Sequence, residues 1–280
     1  MKKLLLGLLI TSLYSFAFAQ KPEKLKADEI IAKHLESIGT KEKLAEINNQ
    51  MILGTSEFII LRGGSSKTVG NVVIASEANK LFFGANFNSS NYQTERASFD
   101  GNNVNIGFIS PGLRSAFGNY MLSNKQIFSE GLFGGTLSTS WALFDLLERK
   151  AKINVAGRKK IDGKDTYVLE YSPKRGSDSS IKIYFDSQNF QHIRTEYFKV
   201  FSAAQGLTLD QSSRQVEARQ VLTEDFSSFS IENGLNLPHK YVIHLVLDGR
   251  STSEYEWTFQ FSNFLINQKL DAKSFDIDFK

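Results

Sequence analysis

Four histidines are the side chains of this chain best suited to bind a metal ion or to move a proton near neutral pH. They are His34, His192, His239 and His244. His239 and His244 lie five residues apart, so a strand would place them on opposite faces, where they cannot grip one metal ion together. We therefore predict no metal site and interpret the histidines as surface or strand-edge residues.

Other catalytic patterns are equally weak. Asp276 and Asp278 would share one face of a terminal strand, where two carboxylates could perform acid–base chemistry, but a solvated chain end is the better explanation. The nucleophile motif Gly-x-Ser-x-Gly is absent. Residues 63–67 read Gly-Gly-Ser-Ser-Lys and lack the spacing of a phosphate loop, so they predict a hairpin turn. We predict no enzyme, no catalytic residue and no cofactor.

The chain contains no cysteine, which excludes disulfides, thiolate nucleophiles and thiolate metal sites. It is rich in phenylalanine instead, with 23 residues against 4 prolines and 3 methionines. Because a phenyl ring has no polar atom, each phenylalanine needs a core, an interface or a ligand site.

Alternation of apolar and polar residues predicts antiparallel strands with one apolar face. The clearest run is Tyr255, Trp257, Phe259 and Phe261, each followed by a polar residue. Shorter runs of the same kind occupy 58–61, 69–75, 80–86, 167–171 and 181–185. Turn residues stand at 162–163, 233–234 and 248–249.

Residues 27–47 predict two short helices that precede the strands. Asp28 is the expected cap of the first helix, and Gly39 is its expected end. Thr40 is the expected cap of the second helix, whose Leu44 and Ile47 face inward.

The segment 108–149 is rich in aromatic residues and interrupted by glycines, and between Gly107 and Asp145 it carries only three charged residues. It predicts two or three short helices joined by flexible turns, within about 112–122, 125–131 and 138–149. Such a segment cannot by itself shield its apolar groups from water. We therefore expect it to lie as an insert across the open face of the sheet.

The N-terminus has the pattern of a secretory signal: Lys2 and Lys3, an apolar run at 4–13 and an Ala-x-Ala site at 17–19. We expect residues 1–19 to be removed and residues 20–280 to form one domain in the periplasm. Gln20 stands where a lipoprotein would carry its lipidated cysteine, so the product is expected to be soluble.

The formal net charge of the sequence is +3, too small for the basic face that nucleic acid binding requires. Apart from the signal, no apolar stretch approaches the ~20 residues of a membrane-spanning helix. We predict a monomer that neither binds nucleic acid nor spans a membrane.

These elements predict a strongly curved antiparallel sheet with helices at the N-terminus and a helical insert over the concave face. Aromatic ladders of this kind either form a packed core or line a cavity, and the sequence leaves both open. If they line a cavity, the ligand-lining residues are Phe58, Ile60, Leu113, Phe117, Met121, Trp141, Phe144, Ile183, Phe185, Tyr255, Trp257 and Phe259.

Several stretches resemble the superfamily of bacterial outer-membrane lipoprotein-sorting proteins, the LolA/LolB-like fold. Residues 157–170 resemble its Gly-turn-Tyr-x-Leu hairpin, which continues into 181–186, ending in Phe-Asp, and 193–196. Residues 233–238, Asn-Gly-Leu-Asn-Leu-Pro, are similar to the start of one of its late strands. The opening, 27–39, resembles the N-terminal helix of secreted relatives of unassigned function.

The resemblance implies fold class α+β, with a half-barrel of about eleven strands that helices close and that holds acyl chains or another apolar cargo. The central insert is long for this family, and no cationic residue matches the motif of its carriers. No functional residue is therefore carried over.

We expect a periplasmic binding or carrier protein for a lipid, acyl chain or other hydrophobic ligand, with a role in envelope lipid or lipoprotein trafficking. The alternative is an envelope module that docks on a protein partner or on a membrane surface through its insert, without a bound small molecule. A third alternative is an integral outer-membrane protein made of strands, but the helices count against it.

Overall fold

The structure, a computed structural model, describes residues 25–202 and 217–277. Its main element is an antiparallel sheet of 12 strands in the order β5-β4-β3-β2-β1-β12-β11-β10-β9-β8-β7-β6. Strands that are consecutive in the chain are neighbours, and the pairing of β1 with β12 joins the two halves. The sheet is curved and unclosed. The expected α+β half-barrel is thus confirmed, with a strand count close to the one predicted.

The strands are β1 Asn49–Arg62, β2 Lys67–Glu77, β3 Lys80–Phe87, β4 Thr94–Phe99, β5 Val104–Ile106, β6 Lys152–Ile161, β7 Lys164–Ser172, β8 Ser180–Asp186, β9 His192–Phe201, β10 Ala218–Glu232, β11 Leu235–Asp248 and β12 Ser253–Ile266. The helices are α1 Ala27–Ile38, α2 Lys41–Ala45, α3 Ala116–Ser123, α4 Gln126–Ser129 and α5 Leu146–Arg149, with 3₁₀ turns at Gly135–Leu137 and Ala272–Phe275. In the described ranges no helix has the length and hydrophobicity to cross a membrane. The expected signal segment and Asp278 lie outside the described residues.

Two of the predicted turns are two-residue hairpins. Asp162 and Gly163 join β6 to β7 with φ of 48° and 82°, and Asn233 and Gly234 join β10 to β11 with φ of 51° and 82°. Positive φ at both positions matches the right-handed twist of the flanking strands, and Asn-Gly and Asp-Gly adopt it at low cost.

The two N-terminal helices are present, with one difference at the first cap. Lys26 occupies the cap position of α1, and its backbone N–H donates to the Glu29 carboxylate at 2.7 Å. Asp28 lies within the first turn instead, where its charge complements the helix dipole. Thr40 caps α2 as predicted, because its Oγ1 accepts from Lys43 N at 3.2 Å.

The insert contains less helix than predicted. The first predicted helix starts only at Ala116, and of the third, 138–149, only α5 is helical. The reason lies in the backbone: Ala142 N–H donates to Gly131 O at 2.9 Å rather than to a carbonyl one turn back. The chain folds over itself here, which turns the Trp141 ring into the core.

The insert fills the space over the inner face of the sheet, the face that carries Trp257, Phe259 and Phe261. Phe133 is fully buried at its centre. The Phe133 ring lies 5.2 Å from the ring of Phe83 on β3 and 6.1 Å from that of Tyr241 on β11, centroid to centroid. This edge-on packing of aromatic rings makes insert and sheet one continuous core.

Candidate functional site

A cavity of about 330 Å³ lies to the side of this core, where the N-terminal helices meet the insert. Its volume falls at the lower end of the range of small-molecule sites, roughly 300–1,000 Å³. The lining residues are Leu35, Ile38, Lys41, Leu44, Ile47, Gln50, Thr136, Ser138, Thr139, Phe144, Leu235 and Leu237.

The N-terminal helices form the roof of this cavity. Leu44 and Ile47 face inward from α2 and the turn after it, as the sequence predicts. Gly39 lets the end of α1 approach β11, since a Cβ at this position would lie 2.8 Å from Leu235 Cδ2. The close approach at Gly39 brings Ile38 and Leu235 to the same cavity wall.

A second depression, of about 680 Å³, runs along the outside of α1 and α2 toward α5. It shares Leu35, Lys41 and Leu44 with the cavity, so the two spaces meet at these side chains. Leu147, which lines its far side, is 93% exposed. We call the cavity and this depression together the helix groove. A hydrocarbon chain emerging from the cavity would find an apolar path in it.

Lys41 is the cation of the helix groove. Its side chain is exposed at the junction of the two spaces and forms no ion pair within 4 Å with any residue that the structure describes. An anionic group of a ligand at the mouth would therefore meet a solvated ammonium group without displacing a protein carboxylate.

The residues predicted to line a ligand site are placed as follows. Phe58, Phe117, Met121, Trp141, Ile183, Phe185, Trp257 and Phe259 are buried, Ile60 and Tyr255 are half-buried, and Leu113 and Phe144 are exposed. Of these, Phe144 lines the cavity. The buried members pack against side chains of the insert and the sheet, so their role in ligand binding remains a prediction.

A buried histidine fastens the insert to the N-terminal helix. Trp141 Nε1–H donates to His34 Nε2 at 3.0 Å, while His34 Nδ1 lies 3.0 Å from the carbonyl oxygen of Phe190. A carbonyl can only accept and an indole N–H can only donate, so this histidine is the neutral Nδ1–H tautomer. Burial lowers the pKa of His34 to about 4, in agreement with the neutral form.

His192, on β9, stacks on a face of the same indole. Its ring lies 4.8 Å from that of Trp141 at an interplanar angle of 17°. His192 Nε2 is 2.8 Å from Thr195 Oγ1, whereas Nδ1 has no partner in the described part of the chain. Burial and the neighbouring His34 keep the pKa of His192 well below its usual value.

Glu224, on β10, is a second anchor of the insert. Its carboxylate accepts from Gly134 N at 2.8 Å, from the hydroxyl of Tyr197 at 2.7 Å and from the hydroxyl of Tyr241. Burial raises the pKa of Glu224 to about 7, although these three donors favour the charged form.

Glu95, on β4, anchors the other end of the insert. It accepts hydrogen bonds from Tyr92 and from Ser115, the residue that caps α3. Burial raises the pKa of Glu95 to about 7. The oxygens of both buried glutamates are thus occupied by protein donors, so these residues hold the insert rather than face a substrate.

Two adjacent glycines test how tightly the insert fits over His192. Gly134 and Gly135 have φ of 75° and 50°, so alanine is strained at either position. A Cβ at Gly135 would lie 2.6 Å from His192 Nδ1, whereas a Cβ at Gly134 would have no atom within 4 Å. We expect Gly134→Ala to lower the free energy of unfolding by about 1–3 kcal/mol from backbone strain alone. Gly135→Ala should lower it further, because its Cβ also clashes with His192. Urea unfolding measures both, and equal losses would contradict the packing described.

Most of the cavity-lining residues were not identified from the sequence as ligand contacts. Leu44 and Ile47 were expected only to face inward, and Gln50 and Thr136 gave no signal. The cavity forms where the two short helices, the insert and the start of β11 converge, and no single periodic pattern encodes such a meeting. In residues 25–202 and 217–277 no group of three or more histidines and carboxylates could hold a metal ion.

No family model and no curated protein matches the sequence. Among solved structures, a LolA superfamily protein from Nitrosomonas europaea is similar, with 12% identity over 91% of this chain and 99% of that chain and a TM-score of 0.48. A DUF1329 family protein from Desulfovibrio piger has 10% identity over 89% and 97%, with a TM-score of 0.44. The LolA-like fold expected from the sequence is thus among those matched, and at these identities the likeness concerns the fold alone.

Proposed function

We propose that this chain binds a hydrophobic ligand in the helix groove and acts as a carrier or binding protein for an acyl chain or lipid. The observation that carries the proposal is the apolar cavity of about 330 Å³ beneath α1 and α2. A folded chain loses stability with empty apolar volume, because its walls forgo packing contacts. A cavity that is kept open next to a solvent-facing apolar groove therefore favours a ligand.

The affinity available in such a site comes from burial. Each methylene group removed from water contributes ~0.8 kcal/mol, so a chain of about ten carbons supplies several kcal/mol before the cost of its ordering. Binding of this kind needs few polar contacts and no catalytic group. It accounts for a site in which half of the lining residues are leucine or isoleucine.

The cellular setting is part of the proposal. The signal pattern at residues 1–19 favours a periplasmic protein, and a ligand taken from or delivered to a membrane of the envelope would suit it. A role in envelope lipid or lipoprotein trafficking follows as the finer form of the proposal.

The alternative function, docking through the insert, has less support. Phe117, Phe128, Phe133 and Trp141 would be the natural anchors of such a surface, and each is at most 2% exposed. Docking through these four rings would require the insert to leave the sheet and would break its hydrogen bonds to His34 and Glu224.

Leu44→Trp tests the proposed function directly. The indole would occupy the space between α2 and the insert, so we expect the affinity for a fluorescent fatty-acid analogue to fall tenfold or more, about 1.4 kcal/mol. The wild-type protein, stripped of bound lipid, is expected to bind the analogue saturably, one molecule per chain. Titration by fluorescence, with displacement by an unlabelled fatty acid, gives both constants.

Leu61→Trp is the matched control. Leu61 is 48% exposed at the other end of β1, roughly 35 Å along the strand from Gln50. This variant should bind like the wild type. Equal binding by the two variants, or the absence of saturable binding by the wild type, would refute the proposed site.

A further inference from the structure

One lining side chain of the cavity carries a buried carboxamide. Gln50, at the start of β1, is 4% exposed and lines the cavity. Its carboxamide forms no hydrogen bond with any residue in the described part of the chain. This group offers two N–H donors and one oxygen acceptor. A buried amide without a partner is costly, which makes the Gln50 side chain a candidate contact for a polar group of the ligand.

The other polar groups of the cavity are less suited to this contact. Ser138 Oγ lies 2.7 Å from Ser140 Oγ, and Thr139 Oγ1 donates to Ala78 O at 3.1 Å. Thr136 Oγ1 has no partner among the residues that the structure describes, but this atom is itself inaccessible from the cavity. Gln50 is therefore the lining side chain whose hydrogen-bonding groups remain available inside the cavity.

The charges around the cavity indicate which kind of ligand group can lie against Gln50. Among the described residues that line the cavity, Lys41 alone is charged, and it lies at the mouth, exposed to solvent. A carboxylate or ammonium group carried inward to Gln50 would lose its hydration without gaining a counter-ion, at a cost of several kcal/mol. A neutral hydroxyl, ester or amide would exchange water for the Gln50 amide at little cost.

We propose that the ligand places an uncharged hydrogen-bonding group, a hydroxyl, ester or amide, against the Gln50 carboxamide while its hydrocarbon chain lies between Leu35 and Leu44. This inference rests on the proposed function and adds the class of head group to it. The ligand is then a neutral-headed amphiphile, or a lipid whose linkage carbonyl reaches Gln50.

The test compares decanol with chlorodecane, which have the same chain length and differ in hydrogen bonding. Dissociation constants are measured by displacement of the fluorescent analogue from the wild type, from Gln50→Met and from Gln50→Leu. Methionine keeps the length of the glutamine side chain without its amide. We expect the ratio of the decanol constant to the chlorodecane constant to rise about fivefold in both variants, the equivalent of one hydrogen bond.

The two proposals fail in different ways. An unchanged ratio in the Gln50 variants, with both compounds still bound, would overturn the head-group contact and leave the hydrophobic site intact. Failure of the wild type to bind either compound would overturn the proposed function itself. A rise of the ratio in one variant alone, while the other still binds chlorodecane with a wild-type ratio, would also count against Gln50.

Discussion

Trp141→Ala is expected to lower the free energy of unfolding by about 4–5 kcal/mol. The indole is fully buried and contacts both His34 and His192, and its loss leaves a cavity in the core. His34 Nε2 also loses its hydrogen-bond donor. The cost of removing a large buried side chain therefore adds to that of an unsatisfied buried nitrogen.

Trp141→Phe separates these two terms, because the phenyl ring keeps part of the stacking on His192 and lacks the N–H. We expect this variant to lose about half as much stability as the alanine variant. Equilibrium unfolding in urea, followed by circular dichroism, measures both. A loss of less than about 2 kcal/mol in Trp141→Ala would mean that the insert is not fastened through this ring.

Glu224→Ala is expected to lower the free energy of unfolding by several kcal/mol, because two tyrosine hydroxyls and Gly134 N–H lose a buried acceptor at once. Glu224→Gln keeps an oxygen acceptor in the same place and should cost less. The difference between these variants reports the hydrogen bonds rather than the volume of the side chain.

Glu224→Gln also changes how stability depends on pH. The pKa of Glu224 is about 7 in the folded protein and near 4.5 in the unfolded chain. The contribution of this side chain to the free energy of unfolding is therefore full below pH 4.5 and is lost as pH rises to about 7. The contribution of Glu95 depends on pH in the same direction, because its pKa is also raised. His34 has the opposite sign: with a pKa of about 4, its contribution is present above the unfolded value of 6.5 and is lost as pH falls.

These opposing contributions should leave the wild type with a shallow profile between pH 4.5 and 6.5. Glu224→Gln lacks the Glu224 contribution, so the opposite contribution of the histidines is no longer offset. The free energy of unfolding of this variant, relative to that of the wild type, should therefore rise by on the order of 3 kcal/mol from pH 4.5 to 7. Other charges near the carboxylate include Asp225, which is paired with Arg194 and present in both proteins. Urea midpoints across this pH range measure the difference, and parallel profiles would refute a raised Glu224 pKa.

The sheet could be predicted from sequence because each strand carries its own pattern. Trp257, Phe259 and Phe261 alternate with polar residues, and the alternation fixes which face is buried whatever the tertiary context. The Asp-Gly and Asn-Gly turns fix two hairpin registers in the same local way. Local rules therefore give the strands and most of their pairings.

The position of the insert could be predicted from the sequence, but the path of its backbone could not. Its low charge and many aromatic residues indicate that it must cover the sheet, and the structure agrees. The path of 135–145 depends on contacts with distant residues, such as Trp141 with His34 and Gly134 with Glu224. Helical periodicity alone overestimated the helix at 138–149, because these tertiary hydrogen bonds replace the helical ones.

The candidate site was the least predictable part. The sequence left open whether the aromatic ladders form a packed core or line a cavity, and in the structure Phe133 packs against rings of the sheet. The cavity of the helix groove lies under α2, where aliphatic side chains of α1, α2, the turn after α2 and β11 meet. His34 and His192 were interpreted as surface or strand-edge residues and are instead buried around Trp141.

The most direct test is native mass spectrometry of the protein purified from its own host without detergent. We expect each chain to carry one lipid-like molecule, released on unfolding, and Leu44→Trp purified in parallel to carry little or none. A wild-type chain that arrives with no bound molecule, and that after purification takes up no fatty-acid analogue, would contradict the claim that the helix groove is a ligand site.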